Sequence, residues 1–421
     1  MNTLKRAFSI WHPFTQHALH PIMTPVASAE GAYLITRDQR RILDAISSWW
    51  VVTHGHCHPR IVAAIQKQAA ELHQIIFAGH THEPAEHLAQ KMLTLTGLDH
   101  CFFSDSGSTS VEVALKMALG YWRHSGESRS QIIVMEGSYH GDTIGAMSVG
   151  ERGVFNEVYE PLLFSVTMIP FPFSGKEEET FRALEEACRT GAAAFIVEPL
   201  VLGSGGMLMY SPRVLAQMHA ICRSHGVLFI ADEVMTGWGR TGTLFACEQA
   251  GITPDIGCYG KGLTGGALPL ALTVCCHKIF AAHYALDRRR MFFHSSSYTA
   301  NPIACAAALE NMRIWEEEPV HERITKVIKL QAQALERFRD HKHFQNVRQI
   351  GTITALDLCV PDSGYLASSA LTLYDFFQSH NLLLRPLGNT LYVLPPYCVT
   401  EEDLCKVYEA IEKAPQACGL L

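Results

Sequence analysis

Through the middle of the chain, short uninterrupted apolar runs alternate with longer stretches in which apolar residues recur every three or four positions. Runs at 101–103, 131–135, 194–197, 227–231, 256–259 and 270–275 predict strands, and amphipathic stretches such as 111–122 and 212–224 predict helices between them. A strand that is apolar at consecutive positions is buried on both faces. The alternation therefore predicts an α/β fold with a mostly parallel central sheet flanked by helices. In such sheets ligands gather beyond the carboxyl ends of the strands. The pattern changes near residue 310. A charged helical stretch over 310–340, strands at 351–360 and 391–394 and a closing helix over 401–413 predict a smaller α/β domain. The organisation read from these patterns is an N-terminal segment, 1–45, joining the small domain, a large domain over 46–309 and the small domain over 310–421.

Composition refines this only slightly. A chain of 421 residues exceeds one simple core, so two domains are expected. A net charge of −7 argues against nucleic acid or an anionic membrane as partner. An anionic substrate would need a local arginine rather than a general field. The 13 cysteines are scattered, with no C-x-x-C spacing, and read as reduced thiols of a cytoplasmic protein. The first eight residues carry two basic side chains with no long apolar stretch behind them, and no run is long enough to span a bilayer. Small-molecule substrates are the expected partners.

The chemistry concentrates at the strand ends. The run 227–231 leads straight into Asp232-Glu233, and Lys261 follows in the glycine-rich turn Tyr259-Gly260-Lys261-Gly262. A carboxylate at the end of a buried strand can hold a protonated ring nitrogen, and a lysine beside flexible backbone can form a Schiff base with a carbonyl cofactor. Together they are what a pyridoxal 5'-phosphate enzyme needs. Ser106-Gly107-Ser108 follows the first strand of the sheet and opens a helix, with Thr109 to Glu112 fitting a capping box. An ordinary helix cap is the simpler reading of that turn alone; a phosphate cradle at Gly107 and Ser108 becomes the better one beside Asp232 and Lys261. Tyr139, after the next strand, could stack on a flat ring and reach substrate.

Other motifs carry less. Gly237-Trp238-Gly239-Arg240-Thr241-Gly242 matches the dinucleotide fingerprint literally, but it does not follow its strand directly and no long helix opens behind it. Arg240 could instead bind a carboxylate. His54-Gly55-His56-Cys57-His58 resembles a metal cluster, yet no second cluster supplies distant ligands, so no metal is assigned. Gly203-Ser204-Gly205-Gly206 lacks the ending of a P-loop and reads as a loop at the sheet edge. Trp49-Trp50 reads as core or as a flat wall for an aliphatic substrate, and Arg385, before Pro386, as a surface residue or a fork for a substrate carboxylate.

In this order the pieces resemble the class III, fold type I, pyridoxal phosphate aminotransferases, over nearly the whole chain. The marks are Trp11-His12-Pro13-Phe14-Thr15, Ser47-Ser48-Trp49-Trp50, Asp105-Ser106-Gly107-Ser108, Tyr139-His140-Gly141-Asp142-Thr143, Asp232-Glu233-Val234, Gly239-Arg240-Thr241-Gly242, Gly260-Lys261, Asn301-Pro302 and Arg385-Pro386. The double tryptophan and the Trp-His-Pro start resemble the subgroup that aminates 8-amino-7-oxononanoate to 7,8-diaminononanoate in biotin biosynthesis. The resemblance implies that Lys261 anchors the cofactor and shuttles the proton and that Asp232 partners the pyridine nitrogen. It implies that Gly107 and Ser108 cradle the phosphate and that Tyr139 lies over the cofactor. Trp49, Trp50 and Phe14 would line the substrate, and Arg385 would hold its carboxylate. Ser295, Ser296 and Ser297 fall where the family reaches the opposite subunit's cofactor, which implies a homodimer with active sites at the interface. Phe14 stands where adenosylmethionine-using members carry a tyrosine, which leaves adenosylmethionine and lysine as candidate donors. Ser295 replaces a glycine and Ser296 a proline. Ser204 stands where glutamate-using members carry a glutamate switch. The rivals are another class III transaminase and a non-catalytic binding protein of the same fold.

Overall fold

The computed structural model describes residues 9–420. Residues 1–8, on which the reading of a missing leader rests, lie outside the described residues. All six predicted strands fall in one seven-stranded sheet. Its spatial order is His100–Ser104, Ala271–Cys275, Ile256–Tyr259, Leu228–Asp232, Ala194–Val197, Ile132–Met135 and Thr167–Ile169. Ala271–Cys275 runs antiparallel to both its neighbours, and every other pairing is parallel. Thr167–Ile169, a three-residue edge strand, is too short to leave a readable run.

Alternate residues of the central strands go to opposite faces, as the pleat requires. Ile133, Phe195 and Phe229 meet Leu184, Leu215 and Met218 of the helices Glu177–Arg189 and Pro212–Ser224. Ile132, Ile196 and Ile230 meet Val111, Ala114 and Ala118 of the helix Gly107–His124. Both faces need apolar residues, so the strands read as continuous runs.

A second core lies at the other end of the chain. The strands Val26–Glu30, Tyr33–Thr36 and Arg41–Asp44 form a sheet with Leu382–Leu383. A three-stranded antiparallel sheet comprises Phe344–Ile350, Ile353–Leu358 and Thr390–Val393. Leu43 and Ala45 pack in one cluster with Phe338, Leu356, Phe377, Leu391 and Tyr408.

The expected helix over 310–340 is in fact two, Pro302–Glu317 and Val320–Arg339. Pro319, which has no N–H to donate, separates them. Asn301 caps the first by accepting from the amides of Ile303 and Ala304. Ala304, Cys305, Ala308 and Met312 of that helix pack with Tyr259 and Leu272 of the large sheet. A domain boundary at 309/310 therefore falls inside a helix that belongs with the large sheet.

Candidate active site

Asp232 ends the strand Leu228–Asp232 and is 5% exposed. Its Oδ2 lies 2.7 Å from His140 Nδ1 and its Oδ1 accepts from the Val234 amide. Lys261 follows the neighbouring strand Ile256–Tyr259 and has φ of 44°, a left-handed conformation costly for a residue with a Cβ. The turn after it is clamped by Asn311, whose Nδ2 donates to the carbonyls of Gly262 and Leu263 at 3.0 Å each. The Lys261 amine pairs with no carboxylate among the described residues; it sits 4.4 Å from the centre of the Trp50 ring. Burial pushes it down to about 8, against the opposing charges of Asp232 and Glu198. Lys261, Asp105, Ser106 and Gly107 line one cavity of about 280 Å³.

The helix Gly107–His124 is capped by Ser106, not by Thr109 as its sequence suggested. Ser106 accepts from the Thr109 amide while the Thr109 hydroxyl accepts from the Ser106 amide. The first-turn amides of Gly107 and Ser108 have no acceptor within the helix and carry its positive end. A Cβ on Gly107 would come within 2.6 Å of the Val234 side chain, so only glycine lets the helix end approach the Asp232 turn this closely. Glu112, expected in the cap, instead accepts from the amides of Gly145 and Ala146.

These features fit pyridoxal phosphate. A buried carboxylate stands ready for a ring nitrogen, an unpaired amine of lowered basicity for an aldehyde, and a helix N-terminus for a phosphate.

The pocket beside Trp50 is aromatic. Phe14, Trp49, Trp50, Tyr139, Phe155, Ser204, Tyr365, Arg385 and Tyr392 line one pocket. The Phe14 ring lies 5.5 Å from Trp49 and 6.1 Å from Phe155, and Phe155 lies 4.4 Å from Tyr365. A second cavity of about 350 Å³ adjoins it through Tyr139, Phe155, Ser204 and Tyr365. The double tryptophan is held in a strained turn: Ser47, Ser48 and Trp50 all have positive φ. Ser47 donates to the Leu394 carbonyl, Ser48 to Asp44, and Trp50 Nε1 to the Tyr392 hydroxyl at 3.0 Å. Arg385 donates to the Phe14 carbonyl and lies over the Trp49 ring, and no carboxylate among the described residues pairs with it. It is free to take one.

Arg240 is not. It is 1% exposed, and its guanidinium donates to the carbonyls of Pro395, Trp50 and Val52. The expectation of a carboxylate binder is corrected: Arg240 braces the backbone that carries Trp50. The three histidines take separate polar partners, although the His54 and His58 rings meet edge to face at 6.0 Å. Buried His54 bonds Asn311, His56 bonds Asp44, and His58 faces Glu318 at 3.5 Å. Ser295 and Ser297 are exposed, and Ser296 donates to Asp105 of its own chain. None of the three lines the Lys261 cavity of this chain.

Sequence reasoning missed His140 as the partner of Asp232, although it stood in a quoted motif. It also missed Glu198, Phe155 and Tyr365. The aromatics sit in loops far apart in the chain and carried no local signal.

Comparison with known proteins agrees with this geometry. The family model "Aminotransferase class-III" matches residues 14–414. An adenosylmethionine-8-amino-7-oxononanoate aminotransferase of Synechococcus elongatus is 47% identical over 414 residues, 96% of this chain and 97% of its own. The protein of that name from Geobacter sulfurreducens is 35% identical, with 96% and 95% covered. The crystal structure of the Methanocaldococcus jannaschii protein of that name matches with a TM-score of 0.92 at 33% identity over 97% of both chains. An amine transaminase from an uncultivated Pseudomonas species, solved in its PLP-bound form, matches at 0.91 and 31% identity, covering 98% of this chain and 99% of its own. With its fold and nearly its whole length shared with these proteins, the chain belongs to the class III aminotransferases.

Proposed function

We propose that the protein transfers an amino group to 8-amino-7-oxononanoate, giving 7,8-diaminononanoate of biotin biosynthesis, with adenosylmethionine or lysine as donor and pyridoxal phosphate as cofactor. The observation that carries this reading is the order of two cations along one aromatic wall, neither paired with a carboxylate among the described residues. The Lys261 amine lies over Trp50, and the Arg385 guanidinium lies over the adjacent Trp49. A substrate with a reacting carbon at one end, an aliphatic chain and a carboxylate at the other matches that order.

Pyridoxal phosphate, when bound, supplies the electron sink for the transfer. The chain supplies the rest. Lys261 Nζ would anchor the cofactor and, once displaced by substrate, would take a proton from the donor's α-carbon in one half-reaction and deliver one to the acceptor carbon in the other, work worth about two to four orders of magnitude in rate. Asp232, held by His140, would supply the negative charge that keeps the ring nitrogen protonated. Gly107 and Ser108 present amides to the phosphate. Tyr139 would hold the cofactor ring, Trp49, Trp50 and Phe14 would exclude water from the chain of the substrate, and Arg385 would bind its carboxylate.

The working unit in this reading is a cytoplasmic homodimer, in which Ser295–Ser297 serve the partner's site. The exposed apolar side chains of Leu286, Phe293 and Tyr298 around that segment support the dimer, and the free cysteines suit a reducing compartment. Incubating the holoenzyme and keto acid with adenosylmethionine, then with lysine, and assaying the diamine by mass spectrometry tests the reaction. No diamine with either donor would overturn it.

A further inference from the structure

The strand Ala194–Val197 runs parallel to Leu228–Asp232 with Val197 opposite Ala231. Glu198 therefore leaves the sheet beside Asp232, and two buried carboxylates stand at adjacent strand ends. Each needs its own partners, because an uncompensated buried charge is costly. Asp232 has His140 and the Val234 amide. Glu198, 4% exposed, has two backbone amides. Its Oε1 accepts from Tyr139 at 3.1 Å and its Oε2 from Gly203 at 2.9 Å. The Tyr210 hydroxyl donates to its carbonyl at 2.8 Å.

Those two amides belong to two segments that line the substrate pocket. One is the turn that presents Tyr139, the other the loop that presents Ser204. The segments touch: a Cβ on Gly205 would lie 2.3 Å from the Gly137 carbonyl oxygen. The titratable groups around Glu198 are Asp232, His140, Lys261, Tyr139 and Tyr210. Burial pushes Glu198 up to about 7, opposed by His140 and aided by Asp232. A neutral side chain could satisfy one of these amides at less cost, so a carboxylate here is explained best by the charge it brings.

We propose that Glu198 is a positioning residue for the transamination: it braces the Tyr139 turn against the Ser204 loop and sets a second buried negative charge beside the Lys261 amine. This rests on the assignment of Lys261 as the cofactor's anchor. The charge holds the Lys261 nitrogen in its protonated form to higher pH, and the brace fixes the width of the pocket.

The two roles separate in two variants. Glu198→Gln removes the charge. The midpoint of the pH titration of the holoenzyme's visible absorbance, read without turnover, should fall by about one unit. Glu198→Asp keeps the charge but withdraws it by one methylene. Its midpoint should stay at the wild-type value while KM for the keto acid rises about tenfold. A folded Glu198→Gln with unchanged midpoint and unchanged KM overturns the proposal. If Glu198→Gln does not fold, Glu198→Asp decides alone: a moved midpoint with unchanged KM overturns it. The titration needs only the bound cofactor, so a wrong substrate assignment would show as absent turnover in the wild type and leave this result intact.

Discussion

His140 Nδ1 lies 2.7 Å from Asp232 Oδ2, and the His140 side chain is fully buried. Because an ionised carboxylate only accepts, Nδ1 is the donor, which fixes the orientation of the ring. His140→Phe would fill much of the space and leave one oxygen of a buried carboxylate without its partner. Breaking a buried pair from one side costs about 3–5 kcal/mol. We expect a lower thermal midpoint, cofactor affinity weakened at least about tenfold in equilibrium titration, and a lower kcat. Unchanged cofactor affinity would show that Asp232 does not depend on this bond.

Lys261 titrates near 8 because burial disfavours its cation. Only the neutral amine attacks an aldehyde. In the cofactor-free protein the rate of pyridoxal phosphate capture should therefore rise with pH up to about 8 and level off above it, whereas an ordinary lysine would keep rising by about two further units. Stopped-flow absorbance follows the rate directly. Lys261→Ala should abolish both the visible band and turnover; a variant that keeps both would remove Lys261 from its assigned role.

Arg385 and Arg240 looked alike in the sequence and are opposite in the structure. Among the described residues Arg385 has one backbone acceptor and no anionic partner, so Arg385→Ala should leave stability nearly unchanged and raise KM for the keto acid. The loss of a hydrogen bond to a charged group, about 1.5–3 kcal/mol, corresponds to roughly tenfold to a hundredfold. Arg240→Ala strands three buried carbonyls. It should lower the denaturation midpoint before any effect on KM is measured. Urea unfolding alongside steady-state kinetics separates the two, and the reverse pattern would exchange their roles.

The contrast shows what the sequence could carry. The strands were legible because both faces of the sheet demand apolar residues, and Asp232 was legible because a carboxylate breaks such a run. Lys261 stood out against its glycines. The fate of an arginine was not legible, since it depends on which carbonyls arrive from residues 50, 52 and 395. Glu198 follows its strand as any loop glutamate would, and only the parallel register sets it beside Asp232. The charge pattern of 310–340 runs on through Pro319 and hid a helix boundary that the proline itself marks.

The Trp50–Tyr392 contact joins the double tryptophan to the strand Thr390–Val393 within one buried cluster at the pocket, which makes it a sensitive place to test the site. Trp50 Nε1 donates to the Tyr392 hydroxyl at 3.0 Å, and both side chains are buried. The Trp50 backbone is in the left-handed region, so this bond, the Arg240 brace and the Ser47 bond hold a strained turn in place. Tyr392→Phe keeps the ring and deletes the acceptor. A buried N–H left unpaired costs about 1–3 kcal/mol, so the variant should unfold at lower denaturant concentration. It should also lose activity, because the ring that the bond orients is the one carrying the Lys261 amine 4.4 Å from its centre. Stability reduced with kcat unchanged would mean that Trp50 packs the core without setting the position of Lys261.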